Sequence, residues 1–80
     1  MTTDEIRTYI LTEILGEPDG TLADDEDLLL SETLDSLSVT RLVQHIEERA
    51  RITVPPEDVT LDNFATLTAI AGYVAVRRAR

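Results

Sequence analysis

Few side chains in this 80-residue sequence could take part in covalent chemistry. It contains no cysteine and no lysine, and His45 is the only histidine. A serine nucleophile needs a general base within hydrogen-bond reach. Ser36 and His45 stand on one predicted helix, separated by about 13 Å of axial rise and on opposite sides of it, so they cannot form a catalytic pair. We therefore expect no catalytic activity, and we interpret His45 as a partly exposed surface histidine.

The acidic residues do not form a recognisable metal site. A calcium-binding helix–loop–helix needs acids at alternate positions, a glycine at the sixth and a glutamate at the twelfth. Neither Asp19-Gly20 nor the run Asp24-Asp25-Glu26-Asp27 fits that template in any register. The lack of cysteine also excludes a zinc–thiolate site and a disulfide scaffold. We predict no intrinsic metal site.

The remaining chemical pattern is Asp35-Ser36-Leu37, which places a hydroxyl beside a carboxylate at the start of a predicted helix. Free backbone N–H groups at a helix N-terminus favour an anion, so a phosphate on Ser36 would be well placed there. Asp35 could hold a magnesium ion that arrives with a phosphate donor. An Asp-Ser pair is equally an ordinary helix cap. The tripeptide alone leaves both interpretations open.

Apolar spacing predicts two longer helices in the first fifty residues, joined by a long connection. The first helix is capped by Thr2 or Thr3 and stops at Gly16; its apolar stripe comprises Ile6, Tyr9, Ile10, Leu11, Ile14 and Leu15. Residues 16–35 form a connection that Leu28-Leu29-Leu30 is expected to pin to the core. The second helix runs from residue 35 or 36 to about residue 50, with the core stripe Val39, Leu42, Val43, Ile46 and Ala50.

The last thirty residues predict an extended link followed by two helices. Ile52-Thr53-Val54 is interpreted as the link because the sequence offers no partner strand. A short third helix is expected near residues 58–64, burying Val59, Leu61 and Phe64. The fourth helix starts near Thr66 and buries Leu67, Ile70, Ala71 and Val74. Its last turn carries Arg77 and Arg78, with Arg80 beyond, where the helix dipole favours cations. The predicted fold is an all-α bundle of three longer helices and one short one.

Charge limits the possible partners. Sixteen acids against seven arginines give a net charge of −9, which disfavours nucleic acid and anionic membranes and favours proteins with basic patches. The sequence contains neither a membrane-spanning apolar run nor a secretory signal. We expect a cytoplasmic monomer.

In combination, several motifs resemble the acyl carrier protein family over nearly the whole chain. They are Asp35-Ser36-Leu37 after the long acidic loop, Ile46-Glu47-Glu48, Ile52-Thr53-Val54-Pro55, and Asn63-Phe64-Ala65-Thr66-Leu67 leading into Ile70 and Tyr73-Val74. The resemblance implies one carrier domain over residues 1–80, with 4′-phosphopantetheine attached to Ser36 by a separate phosphopantetheinyl transferase. Asp35 and Leu37 would be recognised by that transferase, Asp35 through its magnesium ion. The arm would carry acyl or aminoacyl groups as thioesters, which explains why the chain needs no cysteine.

The resemblance also implies a docking surface on the second helix. Leu37, Arg41, Gln44 and Glu48 share one stripe continuous with Ser36, and Glu47 adds a second acid for basic patches on partner enzymes. Three features depart from the commoner fatty-acid pattern: Ser38 replaces a frequent acid, Arg41 and Gln44 dilute the negative charge, and Leu34 replaces a small residue. They favour a carrier for a specialised pathway, loaded by an adenylating ligase or by a polyketide or peptide synthase. The alternative is an unmodified acidic helical module that binds a basic partner.

Overall fold

A computed structural model describes residues 1–79, so the predicted dipole contribution of Arg80 lies outside the described residues. Within that range the protein has no strand and four α-helices: α1 (Thr3–Tyr9), α2 (Ser36–Ala50), α3 (Leu61–Phe64) and α4 (Leu67–Arg78). A π-helical turn, Ile10–Ile14, continues α1, and a 3-10 helix, Pro56–Asp58, precedes α3. The predicted all-α class is confirmed, with its long connection between the first two helices.

Local sequence signals fix the two ends of the helical segment that α1 forms with its π-helical turn. The Thr2 hydroxyl accepts the Glu5 backbone N–H at 3.1 Å, and the Glu5 carboxylate accepts the Thr2 N–H at 3.2 Å. This reciprocal capping box satisfies two donors that a helix start leaves free. At the other end Gly16 has a φ of +66°, a conformation that costs a glycine little. Of the two predicted caps, Thr2 is the one observed, and the predicted stop at Gly16 follows the π-helical turn that continues α1.

The core is formed by apolar side chains from every helix and from the long connection. Its fully enclosed members on α2 and α4 are Leu42, Ile46, Leu67, Ile70 and Val74. Val39 and Val43, predicted as core, are only half-buried, and so is Ala71. The stripe of α2 therefore packs through its centre and leaves one edge partly open.

The leucine run in the long connection is oriented differently from the prediction. Leu28 is fully buried, but Leu29 is half-buried and the Leu30 side chain is 73% exposed. The reason is a turn in which the Asp27 carboxylate accepts the backbone N–H groups of Leu29 at 3.0 Å and of Leu30 at 2.7 Å. Leu22 and Leu34, both buried, anchor the connection together with Leu28.

Arg7 fastens the first half of the connection to α1. Its Nε donates to the Leu22 carbonyl at 2.9 Å, and its guanidinium pairs with the carboxylates of Asp4 and Asp24. The Asp24 carbonyl in turn accepts the Thr68 backbone N–H of α4 at 3.2 Å. The acidic segment is thus tied to two helices by named bonds.

The third helix starts later than predicted. Thr60 caps it by accepting the Asn63 backbone N–H at 3.3 Å, and the 3-10 helix occupies the preceding residues. Leu61, predicted to be buried, is 51% exposed because it is the first residue after this cap and faces away from the core. Phe64 is buried as predicted, whereas Val59, also predicted to be buried, is only half-buried.

Candidate functional site

Ser36 is the first residue of α2, and its side chain is exposed. Asp35 is the N-cap: its carboxylate accepts the Ser38 backbone N–H at 2.8 Å. Hydrogen bonds from Ser38, the backbone N–H first, lower the pKa of the Asp35 carboxyl below its ordinary value, so the group is ionised at neutral pH. The structure thus places an accessible hydroxyl beside a charged carboxylate at a helix start.

The segment before Asp35 is held in place by the core. The Leu28 N–H donates to the Ala65 carbonyl at 2.7 Å, and the Leu34 N–H donates to the Leu28 carbonyl at 2.9 Å. The Leu34 side chain is only 4% exposed. Leu34 replaces the small residue expected before the Asp-Ser pair because it fills a core position here. These contacts fix the direction from which the chain enters α2.

An apolar groove opens beside Ser36. A cavity of about 340 Å³ lies next to Ser36, and a hollow of about 300 Å³ continues it along α2. The two share Val39, Thr40 and Val59 as walls. We call this the α2 groove; its apolar walls are Leu29, Leu34, Val39, Val43, Val54 and Val59. The α2 groove was not predicted from the sequence, because Val39 and Val43 have the spacing of core residues.

Side-chain hydrogen bonds hold the outer wall of the α2 groove. The Tyr73 hydroxyl of α4 donates to the Asp58 carboxylate at 2.6 Å, and Arg77 donates to the Thr53 carbonyl at 2.8 Å. Burial, followed by the hydrogen bond to Asp58 and the charge of its carboxylate, raises the pKa of Tyr73 to about 12. These bonds attach the 3-10 helix and the extended link to α4.

The predicted docking stripe is exposed. Leu37 is 71% exposed, and Arg41, Gln44 and Glu48 are also on the surface. Arg41 donates to the Glu13 carbonyl at 2.9 Å, which holds its guanidinium at the end of the π-helical turn. Glu47 is placed differently: it is half-buried, and its carboxylate accepts the Val54 backbone N–H at 2.9 Å. Docking remains a prediction for all five residues, and Glu47 has a structural task as well.

On the flank of α2 that faces away from the α2 groove, His45 stacks on Tyr9 of α1. The ring centroids are 3.8 Å apart, and the rings are inclined by 12°. His45 is half-buried, which agrees with the expected partly exposed histidine. Burial, and then the charge of Arg49, lowers the pKa of His45 below its ordinary value of 6.5. The pair was not predicted from the sequence, although the apolar stripe of the first helix included Tyr9.

Residues 1–79 contain neither a metal-binding cluster nor a membrane-spanning helix. Across this part of the chain, no three histidine, aspartate or glutamate side chains are arranged to hold a metal ion. No helix in the same range has the length and apolar character needed to cross a bilayer.

Comparison with known proteins identifies the family. The family model described as the phosphopantetheine attachment site matches residues 4–74, which include most of α1, the long connection, Ser36 and most of α4. No curated protein shows significant similarity to the chain. Domains of the matched family receive 4′-phosphopantetheine as a covalent group. The chain therefore belongs to the phosphopantetheine attachment family of carrier proteins.

Proposed function

We propose that Ser36 is the attachment point and that the chain presents acyl or aminoacyl groups to partner enzymes without catalysing their reactions. The observation that carries this proposal is the exposed Ser36 hydroxyl on the first turn of α2, directly after the capping Asp35. The other two serines fit less well. Ser31 donates its hydroxyl to the Asp27 carbonyl, and Ser38 is half-buried against the cap.

The residues around Ser36 fit the group that the family carries. The first turn of α2 offers backbone N–H groups and a favourable dipole for the phosphate that would join Ser36 to the arm. The ionised Asp35 carboxylate suits magnesium recognition during transfer. The α2 groove, with Leu34 and Val39 beside Ser36, offers apolar contact to part of the cargo. The arm itself supplies a thiol, so Ser36 needs no neighbouring base.

Partner choice follows from the exposed stripe on α2. We propose that Leu37 provides the apolar contact and that Glu48 faces a basic patch on the partner enzyme. The Arg41 guanidinium, held by the Glu13 carbonyl, adds a fixed positive charge to that stripe. A positive charge there disfavours partners that require a uniformly acidic helix. This supports a specialised biosynthetic pathway over general fatty-acid synthesis.

The test is attachment of the arm. We expect the purified chain, incubated with coenzyme A, magnesium and a broad-specificity phosphopantetheinyl transferase, to gain the mass of one 4′-phosphopantetheine. Ser36→Ala should gain none, whereas the matched control Ser38→Ala should be modified like the parent. Circular dichroism should show the same helix content in all three proteins. An unmodified parent, or a mass gain that survives Ser36→Ala, contradicts the proposal.

A further inference from the structure

The α2 groove follows the axis of α2 away from Ser36. Val39 and Thr40 wall the cavity beside Ser36, and Val43 and Glu47 wall the hollow that continues it. These positions lie three or four residues apart, which is the spacing of side chains on one helix face. At the helical rise per residue, the axial distance from Ser36 to Glu47 is about 16 Å. We call the end of the groove at Glu47 its far end.

The covalent arm that this family carries has a similar reach. About fourteen bonds link the serine oxygen to the sulfur of 4′-phosphopantetheine, slightly fewer than the backbone of five residues contains, so the extended arm spans roughly 16 Å. This length matches the axial distance from Ser36 to Glu47. An arm that is attached to Ser36 and directed along α2 therefore brings its sulfur to the far end of the groove.

The polarity of the groove changes in the same order as the polarity of the arm. Beside Ser36 the groove has the aliphatic walls Val39 and Val59, and the segment of the arm next to its phosphate carries two methyl groups. At the far end the groove is lined by Gln44 and Glu47, where the terminal amide and the thiol of the arm would lie. A plain hydrocarbon chain of the same length offers these two polar side chains no hydrogen bond.

Glu47 and Gln44 both keep hydrogen-bonding capacity for such a group. The Glu47 side chain is half-buried, and its Oε2 accepts the Val54 backbone N–H at 2.9 Å, while its other oxygen accepts no hydrogen bond within residues 1–79. The Gln44 side chain is exposed. A carboxylate has about four acceptor positions. The terminal amide N–H of the arm can therefore donate to Glu47 while the bond that holds the groove wall stays in place.

We propose that the arm, while it carries no cargo, lies along the α2 groove and places its thiol beside Glu47. Its dimethyl segment then packs against Val39 and Val59, and its terminal amide lies between Gln44 and Glu47. The inference rests on the proposed attachment at Ser36 and names the residues that hold the unloaded arm. Once the arm is loaded, cargo and arm compete for the same groove.

The first test compares nuclear magnetic resonance spectra of the chain without and with the arm, after mass spectrometry has confirmed one arm per chain. We expect nuclear Overhauser contacts from the two methyl groups of the arm to Val39 and Val59, and a shifted methyl signal at Val43, further along the groove. The control is Val76, which is exposed on α4 and does not line the groove; its signal should stay unchanged. Changes confined to residues 35–37 overturn the proposal.

The second test measures the reactivity of the thiol at the far end. A carboxylate beside a thiol raises the thiol pKa and so lowers the thiolate fraction that reacts with iodoacetamide, an uncharged reagent. In the chain with the arm, Glu47→Gln should raise the alkylation rate at neutral pH by about twofold to fivefold. The glutamine oxygen can still accept the Val54 N–H. The matched control is Glu48→Gln, an exposed neighbour outside the groove, which should change the rate by less than about 1.5-fold. Equal increases in both variants overturn the proposal.

The outcomes also separate this inference from the attachment on which it rests. A chain that gains no arm contradicts attachment at Ser36 and this inference together. A chain that carries the arm but shows unchanged signals at Val39 and Val43 contradicts this inference alone. If the groove signals of the chain with the arm shift with protein concentration, the occupant is the arm of a second copy, and that result overturns the proposal as well.

Discussion

The two flanks of α2 differ in how they meet the rest of the molecule. Towards the 3-10 helix, Val39 and Val43 are half-buried and leave the open, apolar α2 groove next to Ser36. Towards α1, the His45 ring stacks on the Tyr9 ring and Arg49 lies 3.4 Å from the Glu5 carboxylate, beside a concavity of about 440 Å³. One helix therefore separates an open apolar groove from a flank where an aromatic pair and an ion pair join two helices.

The difference lies in what each flank packs against. On the α1 side, α2 faces a continuous helical segment that carries large side chains. On the other side it faces the extended link and a 3-10 helix of three residues, from which Val54, Pro56 and Val59 line the groove. That wall is held by bonds such as Tyr73 to Asp58 and Glu47 to Val54 rather than by helix packing. We expect the groove flank to respond to single substitutions more strongly than the α1 flank.

The largest effect is expected at Leu34, which closes the end of the α2 groove beside Ser36. Leu34→Ala should lower the free energy of unfolding by about 2–4 kcal/mol, because a buried leucine is replaced and a cavity remains. Urea unfolding followed by circular dichroism measures this. The control Leu30→Ala, at an exposed leucine of the same connection, should cost less than about 0.5 kcal/mol. Similar losses in both variants would show that the groove does not depend on this anchor.

The next-largest loss of stability is expected at Tyr73, which holds the outer wall of the α2 groove. Tyr73→Phe should lower the free energy of unfolding by about 1 kcal/mol, because the Asp58 carboxylate loses its hydroxyl donor.

The parent should also lose stability in alkali. The pKa of Tyr73 is about 12 in the folded state against 10 in the unfolded chain, so this contribution is complete below pH 10 and disappears as the pH rises through 12. Thermal unfolding at pH 9 to 12 should show a steeper decline for the parent than for Tyr73→Phe. Parallel curves would contradict the role of this hydroxyl.

On the α1 flank, a smaller dependence on mild acid is expected. The folded-state pKa of His45 is below 6.5, so protonation favours the unfolded chain. Stability from this group is complete above pH 6.5 and is lost as the pH falls through the folded-state value. His45→Gln should flatten the decline of the melting temperature between pH 7.5 and 5.5, a range above that in which most carboxyls titrate. An unchanged slope in that variant would show that the imidazole is not shielded by Tyr9.

The smallest effect is expected for the exposed pair on the same flank. Arg49→Ala should change the melting temperature by no more than about 2 °C, because the contact of 3.4 Å to Glu5 is open to solvent. Scanning calorimetry at low and at physiological salt measures this. A shift beyond that range, especially one that persists in salt, would mean that the α1 flank depends on ion pairing rather than on the stacked rings.

The helices and the cap at Asp35 could be predicted because their signals are local. Residues three and four positions apart share a helix face, and an aspartate before a helix caps it wherever the helix packs. The α2 groove could not be predicted, since Val39 follows the same spacing as Leu42 and its exposure depends on the path of the chain after Pro55. Leu30 was missed because an Asp27 turn, and not hydrophobicity, sets its direction.

The same contrast holds for the candidate site: its local motif could be predicted, and its contacts between distant residues could not. Ser36, Asp35 and Leu37 could be located from a contiguous motif. The stacking of His45 on Tyr9 joins residues far apart in the chain, and the bond from Glu47 to Val54 depends on how α2 ends. Neither has a signature that spacing alone can reveal. The sequence therefore predicts the helix start at Asp35 and Ser36 better than it predicts the surfaces around it.

The fastening of the long connection also affects how quickly a partner can recognise this protein. Arg7 and the buried Leu28 and Leu34 hold the segment that leads into Ser36 before any partner arrives. A flexible segment of that length would lose conformational entropy on each encounter and would lower the fraction of productive collisions. Here that ordering has already taken place during folding. The segment that leads into Ser36 is therefore already ordered in the free chain.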